Sequence, residues 1–188
     1  MNSHKKPIIW NNIEPNYFVG SMQDLINSFG FIDTVRLYLQ SKDGLVILIK
    51  RFVKRKIQNH LVQKKIEMGG LLVGQVFLLD GKNSNSYVSV ITNSVESKSS
   101  VGTSVSLKFD PEVWSSAKNS LSTGLNVIGW YHSHPGFGPF FSSTDKKTQK
   151  GFFRQPFQIG LVVDPFNKEE KWFCGHNSDP VNRVYTLR

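Results

Sequence analysis

The feature that most limits the possible folds of this chain is a series of eight short apolar runs. Polar turns or helix-like segments separate them. Runs of this length that are rich in Val, Ile, Leu and aromatic residues predict β-strands when turn residues bound them. They fall at residues 31–40, 44–50, 69–80, 87–95, 104–109, 125–134, 157–165 and 171–176. Because helix-like segments lie between several of these runs, the pattern predicts an α/β or α+β domain with a mixed sheet.

Caps and apolar periodicity predict helices in four other segments. These are residues 21–30, residues 50–65 with an end near Glu67, a segment that begins with Asp110 as cap and Pro111 as first residue, and residues 142–153. Ser21 is a candidate N-cap of the first helix and Gly30 its stop.

The remaining segments are polar or aperiodic. They predict a loose arm at residues 1–20, a turn at GKNSNS, an exposed loop at ESKSSVGTS and a short polar tail at the end. We therefore predict a partly ordered N-terminal extension over residues 1–40 and one domain over residues 41–188.

The chain carries a formal charge of +9, and much of the excess lies in KRFVKRKIQNHLVQKK, residues 50–65. Val53, Ile57 and Leu61 recur every four residues there, which is typical of the packed face of an amphipathic helix. We interpret the basic residues as the solvated face of that helix. Attraction to an acidic partner stays an alternative, whereas nucleic acid is not expected as a partner.

The single cysteine, Cys174, allows no disulfide within the chain, which favours a reducing compartment. No run reaches the roughly 18 apolar residues of a membrane span. We expect a cytoplasmic protein that does not insert into a membrane. Cys174 lies in an aromatic strand and is interpreted as a buried thiol.

The stretch GWYHSHPGFGPFFSSTD, residues 129–145, concentrates the chemistry of the chain. Side chains at i and i+2 of a strand share a face, so His132 and His134 form a natural pair of metal ligands. Asp145 is able to close a three-ligand site with one open position, which is the pattern of catalytic zinc. Two other interpretations stay open: a buried histidine pair bonded to backbone carbonyls, and a capping box formed by Ser142 and Asp145.

A second segment, EMGGLLVG, begins with Glu67 at a helix end and continues through two glycines into an apolar strand. Glycines allow one backbone to approach another closely. A carboxylate that enters a sheet there is able to face a metal held on a neighbouring strand.

Together these residues resemble the JAMM motif of the MPN-domain, or JAB-like, zinc metalloproteases. That motif is a distant glutamate, then His-X-His, seven residues, Ser, two residues and Asp. In this chain its positions are Glu67, His132, His134, Ser142 and Asp145, and the flanking GWYHSHP and LVVDP segments agree as well. The resemblance covers roughly residues 45–175.

The resemblance implies a fold and a set of roles. The fold is a curled mixed β-sheet flanked by helices, with residues 41–188 as the metalloprotease domain. One Zn²⁺ per chain would be bound by His132, His134 and Asp145. Glu67 would act as general base, and Ser142 would stabilise the oxyanion.

The resemblance also implies a function. Family members cleave peptide or isopeptide bonds after the C-terminus of ubiquitin or ubiquitin-like proteins, so we expect a deubiquitinase-like zinc isopeptidase. Bacterial relatives occur beside ubiquitin-activating-like and ubiquitin-conjugating-like enzymes, some of them in antiphage defence, which implies such partners and such a setting. Two alternatives stay open: the same fold acting on a sulfur-carrier or phage-tail protein, and a slow scaffold or binding module.

Overall fold

A computed structural model of the chain describes residues 16–41, 44–79, 86–97 and 111–188. Within these ranges the chain forms, in order, β1 (Val19–Gly20), α1 (Met22–Phe29), α2 (Phe31–Ser41), β2 (Leu45–Lys50), α3 (Arg51–Leu61), β3 (Gly69–Leu78), β4 (Tyr87–Glu96), α4 (Pro111–Asn119), β5 (Asn126–Ser133), α5 (Ser143–Phe152), β6 (Ile159–Asp164), β7 (Glu169–Cys174), β8 (Asp179–Val181) and β9 (Val184–Leu187). The predicted strand at residues 104–109 and the Asp110 cap lie outside the described residues, as do most of the predicted GKNSNS turn, the ESKSSVGTS loop and the N-terminal arm.

The strands form one mixed sheet in the order β8-β7-β6-β5-β3-β4-β2-β9, and β1 pairs with the end of β3. β8 and β9 occupy opposite ends of this path, yet only Asn182 and Arg183 separate them in sequence. Three Cα steps span at most about 11 Å. The sheet therefore has to curl until its two edges nearly meet, which confirms the predicted curled mixed sheet with helices against it.

The centre of the sheet is β3, which pairs antiparallel with both β4 and β5. Gly69 lies opposite His132, and Gly70 lies opposite Tyr131. A Cβ atom at residue 70 would lie 2.2 Å from the carbonyl oxygen of Val95 and 2.7 Å from the hydroxyl of Tyr131. Only glycine fits this close approach, and the fit holds the start of β3 against the histidine-bearing end of β5.

Helix α3 packs on the sheet through the face that its sequence predicts. Val53, Ile57 and Leu61 are buried in the largest apolar cluster of the described residues. Burial of each such side chain stabilises the fold by about 1.5–3 kcal/mol. The helix ends at Leu61, earlier than the predicted end near Glu67, so an irregular segment leads from α3 to β3.

The predicted strand at residues 31–40 is wrong, because this segment forms α2. Its β-branched residues, Ile32, Thr34 and Val35, favour a strand by propensity. In the structure the hydroxyl of Thr34 donates to the carbonyl oxygen of Gly30 at 2.8 Å, which a helix accommodates. Thr34 and Leu37, three residues apart, are buried side chains of this helix. Tertiary packing therefore outweighs the local preference.

The predicted polar tail is also wrong, because residues 179–187 form β8 and β9. β9 pairs in parallel with β2 and covers what would otherwise be an open sheet edge. The short strand β1, in the predicted loose arm, is joined to the start of β5 by the side chain of Asn126. That amide accepts from the backbone nitrogen of Phe18 at 2.9 Å and donates to its carbonyl oxygen at 2.7 Å.

Residues of the predicted N-terminal extension pack on the sheet where they are described. Leu25 of α1 and Leu37 of α2 are buried with residues of β2, β3 and β4. Among the helices of the described ranges, none has the length and apolar character needed to cross a membrane.

Candidate metal centre

His132 near the end of β5 and His134 just beyond that end lie on one face of the sheet. Nε2 of His132 and Nε2 of His134 are 3.0 Å apart, and both rings are almost fully buried. Ser133 points to the opposite face, where its hydroxyl accepts a hydrogen bond from the backbone nitrogen of Met68 at 3.0 Å. The ring of His132 stacks on Trp130 with a centroid distance of 4.5 Å, which holds the imidazole in one orientation.

Asp145 lies in the first turn of α5 and reaches both histidines. Oδ1 is 3.2 Å from Nε2 of His132, and Oδ2 is 3.5 Å from Nε2 of His134. The same carboxylate accepts a hydrogen bond from the backbone nitrogen of Ser142 at 2.7 Å, while the Ser142 hydroxyl accepts one from the Asp145 nitrogen at 3.2 Å. The capping box and the histidine cluster are therefore not alternatives, since one carboxylate takes part in both.

Glu67 joins the cluster from the segment between α3 and β3. Its Oε1 is 3.9 Å from Nε2 of His134, and its side chain is largely buried. Burial raises the pKa of Glu67, its electrostatic interaction with His134 opposes that rise, and the charge of Asp145 adds to it. The pairing of Gly69 with His132 brings this carboxylate beside a histidine pair that lies 65 or more residues away in sequence.

The donor set fits a small divalent cation. His132, His134 and Asp145 each offer a donor atom, all within 4.8 Å of one another. Donors about 2.1 Å from one ion at tetrahedral angles lie about 3.4 Å apart, which is close to the 3.0–3.5 Å separations found here. Two imidazoles and a carboxylate are a preferred zinc set.

The protonation states favour metal binding as well. Burial lowers the pKa of His132, and this favours the neutral ring, the form whose lone pair binds a metal. Burial acts to raise the pKa of Asp145, but hydrogen bonds from His132, His134 and Ser142 outweigh it and hold the pKa well below its usual range. The nitrogen and oxygen atoms of these three side chains face one another across 3.0–3.5 Å. Their lone pairs repel one another unless a proton or a metal ion lies between them.

Asp164, the last residue of β6, is a residue beside the site that the sequence analysis does not identify. Its carboxylate is fully buried and accepts from the backbone nitrogens of Gly136 at 3.1 Å, Gly138 at 2.9 Å, Phe166 at 3.0 Å and Asn167 at 3.2 Å. The side-chain amide of Asn167 donates a fifth bond at 2.8 Å. Burial acts against the charge, but these bonds lower the pKa of Asp164 to about 2.

These bonds fix the loop that connects the two histidines to Ser142. Gly136 and Gly138 have φ of 80° and 79°, a region that favours glycine, and this lets both N–H groups point to Asp164. The loop then carries Phe140 against His134 at a centroid distance of 4.8 Å, and it buries Phe141 beside Trp130. The sequence does contain a hint, since an Asp ends a buried strand and a glycine-rich loop follows the two histidines, but the sequence alone does not show that they meet.

Cys174 and His60 play other parts. Burial raises the pKa of the Cys174 thiol to about 11, so the thiol stays protonated at neutral pH and is a poor nucleophile. His60 is buried on α3 and shares a hydrogen bond of 3.0 Å with the hydroxyl of Tyr131. Neither residue is part of the metal cluster.

Comparison with known proteins assigns the chain to a family. The curled mixed sheet and the centre of two histidines and one carboxylate define the class of protein. The family described as prokaryotic homologs of the JAB domain matches residues 50–174. This is more than half of the chain, so the chain belongs to that family.

Curated relatives include named deubiquitinases. The chain is 42% identical over 69 residues to ubiquitin carboxyl-terminal hydrolase RPN11 of Saccharomyces cerevisiae, which covers 34% of this chain and 22% of the relative. It is 36% identical over 97 residues to deubiquitinase MYSM1 of Homo sapiens, covering 48% of this chain and 12% of the relative. The chain thus matches less than a quarter of the length of either relative.

A solved structure of a protein from Desulfitobacterium hafniense shares the fold. It superposes with a TM-score of 0.56 at 17% identity, and the match covers 76% of this chain and 94% of that one. At this identity the likeness concerns the fold alone.

Proposed function

We propose that this chain is a zinc-dependent peptidase or isopeptidase that cleaves after the C-terminus of a ubiquitin-like protein, either to remove it from a conjugate or to mature a precursor. The observation that carries the proposal is that three segments of the chain bring the side chains of Glu67, His132, His134 and Asp145 together. Ser142 caps the helix that carries Asp145. The deubiquitinase names of relatives support the same substrate class.

In this proposal His132, His134 and Asp145 hold the zinc ion. A zinc ion in this position supplies Lewis-acid chemistry, which makes water a nucleophile near neutral pH and polarises a carbonyl. Trp130 against His132 and Phe140 against His134 hold the two rings in place and keep bulk water away from them.

Glu67 moves the proton. Its carboxylate accepts a proton from the attacking water while the water oxygen bonds to the scissile carbonyl carbon. It then passes that proton to the departing amine nitrogen as the C–N bond breaks. Burial raises the pKa of Glu67, which makes its carboxylate a better base than an exposed glutamate.

Ser142 stabilises the oxyanion. In the resting arrangement a hydrogen bond from Ser142 helps to lower the pKa of Asp145. A hydroxyl rotates about its C–O bond, so the same proton is able to turn towards a developing oxyanion. Asp164 contributes by holding the loop that ends at Ser142.

The setting is proposed by family analogy. We place residues 41–188 as the catalytic domain and residues 1–40 as an extension of it. Ubiquitin-activating-like and ubiquitin-conjugating-like enzymes would supply the conjugate in the cytoplasm, and antiphage defence is one system in which such enzymes occur together.

The test has two parts. The purified protein should contain about one zinc per chain by elemental mass spectrometry, Glu67→Gln should keep it, and His134→Ala should lose it. Glu67→Gln expressed in the source cells should then retain a small ubiquitin-fold protein, free or joined to a target, when the complex is analysed by mass spectrometry. Glu112→Gln, an exposed glutamate of α4, is the matched control and should retain none.

Two results would contradict the proposal. One is a zinc-free protein in which His134→Ala changes nothing, which would remove the metal site. The other is retention of only nucleic acid or a large assembly by Glu67→Gln, which would favour a scaffold.

A further inference from the structure

A groove of about 570 Å³ opens beside the candidate metal centre, between the start of α5 and strands β7, β8 and β9. Its walls combine aromatic rings, among them Phe140 and Phe173, with the ammonium groups of Lys146 and Lys171. We propose that this groove binds an acidic side chain of the substrate polypeptide, in an extended segment a few residues from the scissile bond. This inference rests on the proposed peptidase function and specifies part of its substrate.

The groove has a net positive character. Lys146 and Lys171 are exposed, and both line it. The one acidic residue on its wall, Glu170, is already paired with Lys54 of α3 at 2.7 Å. An acidic group that enters the groove therefore meets two cations and a carboxylate whose charge is compensated.

Polar groups on the wall suit an acceptor as well. Ser178 is more than nine-tenths buried, and its hydroxyl has no hydrogen-bond partner among the described residues. A buried hydroxyl donor without a partner costs free energy. A ligand oxygen that accepts its hydrogen bond removes this cost, and the ligand therefore binds more tightly.

The strand edge beside the groove suits an extended chain. β8 pairs only with Trp172–Cys174 of β7, whereas β6 pairs with all of β7 from Glu169 on the other side. The edge of Glu169–Lys171 on the β8 side has no partner strand within the described parts of the chain. Such an edge accepts an extended peptide as an added strand, with alternate side chains directed into pockets.

The groove is next to the candidate centre, because the two share Phe140. Phe140 forms part of its wall and contacts His134 at a ring-centroid distance of 4.8 Å. Phe141, also on the wall, stacks on Phe173 at 4.1 Å. An extended chain advances about 3.3 Å per residue, so a side chain in the groove and a peptide bond at the metal centre belong to the same short segment.

The experiment is an NMR titration of the ¹⁵N-labelled Glu67→Gln protein, which does not depend on turnover. The probes are two capped peptides, Ac-Val-Glu-Val-Glu-Gly-NH₂ and its Gln counterpart. We expect the Glu peptide to shift the amide signals of Lys171, Phe173 and Ser178 and to bind more tightly than the Gln peptide. Exposed ion pairs are each worth up to about fivefold in affinity, so the ratio should lie between about 2 and 20.

Charge variants locate the effect. Lys146→Glu/Lys171→Glu should abolish the preference for the Glu peptide. Lys147→Glu/Lys150→Glu makes the same change in net charge on exposed lysines of α5 outside the groove, and should keep the preference. If the first double variant does not fold, Lys171→Gln alone should halve the preference or more.

Equal binding of the two peptides would overturn the proposal. So would signal shifts elsewhere on the protein, or an equal loss in both double variants. Failure of the proposed function looks different, because it would appear as absent zinc and absent cleavage whether or not the groove binds the Glu peptide.

Discussion

The backbone nitrogen of Ser142 donates a hydrogen bond of 2.7 Å to Oδ2 of Asp145, and this contact makes the cap of α5 part of the candidate metal centre. Helix α1 begins with the same kind of capping box, in which Asp24 accepts from the backbone nitrogen of Ser21 at 2.7 Å. One box faces two histidines and the other faces solvent. The chain therefore contains its own control for separating helix capping from metal chemistry.

Replacing Asp145 by Asn should weaken zinc binding strongly, whereas Asp24→Asn should leave it unchanged. Asn keeps an oxygen that accepts the capping bond but loses the negative charge that attracts the cation. Replacing a residue that only hydrogen-bonds to a metal ligand already lowers metal affinity by about 10–100-fold. We therefore expect the change of a direct ligand to lower zinc affinity by more than about 100-fold. Competition with a zinc chelator measures it, and equal affinity in the two variants would refute the ligand role of Asp145.

Ser142→Ala should lower the cleavage rate by about 10²–10³-fold while zinc content stays the same. The lost hydroxyl proton is the one that would stabilise the oxyanion. Loss of the cap itself costs about 1 kcal/mol of stability, and Ser21→Ala on α1 should show that cost without the rate effect. Rates and unfolding curves of both variants decide the matter, since equal rate losses would mean that only folding was affected.

Asp164→Asn should destabilise the metal-free protein at neutral pH by about 2 kcal/mol, because the carboxylate accepts five hydrogen bonds. The folded-state pKa of about 2 lies below the ordinary value of 3.8, so the charged form is the stabilising one. Its contribution is complete above about pH 4 and is lost as the pH falls through about 2. Urea unfolding between pH 7 and pH 2 should show the gap between wild type and variant closing in this window.

The control for that series is Asp33→Asn, which removes an exposed carboxylate paired with Arg36. Its effect should stay below about 0.5 kcal/mol. A gap for Asp164→Asn that persists unchanged to pH 2 would show that the charge of Asp164 does not hold the loop.

Gly70→Ala should destabilise the protein by roughly 2–3 kcal/mol, because the added Cβ would lie 2.2 Å from the carbonyl oxygen of Val95. It should also lower cleavage, since the start of β3, and with it the preceding segment that carries Glu67, would move away from His132. Gly151→Ala is the matched control, because residue 151 lies in α5 with open space around it. There alanine should stabilise by up to about 1 kcal/mol, and thermal unfolding of both variants compares the two.

The predictions from local pattern succeeded where a segment carries its own reason to fold. Helix α1 is confirmed with Ser21 as cap and Gly30 as stop, and the buried face of α3 follows its four-residue spacing. Segment 31–40 was predicted wrongly because its β-branched residues favour a strand, whereas packing of Thr34 and Leu37 on the sheet requires a helix. β8 and β9 were missed because strands of three and four residues carry too little pattern of their own and depend on the partners that they pair with.

For the candidate site, the residue types and their spacing were readable along the chain: two histidines on one strand face, an aspartate in a helix cap and a glutamate before two glycines. The roles of these residues stay predictions. Their meeting depends on long-range pairing, since Gly69 comes opposite His132 only in the folded sheet. The same holds for the carboxylate of Asp164, whose five bonds link two loops, and for the groove lined by Lys146 and Lys171. A sequence carries the chemistry and the local periodicity, but which groups share one point in space follows from how strands pair and how the sheet closes.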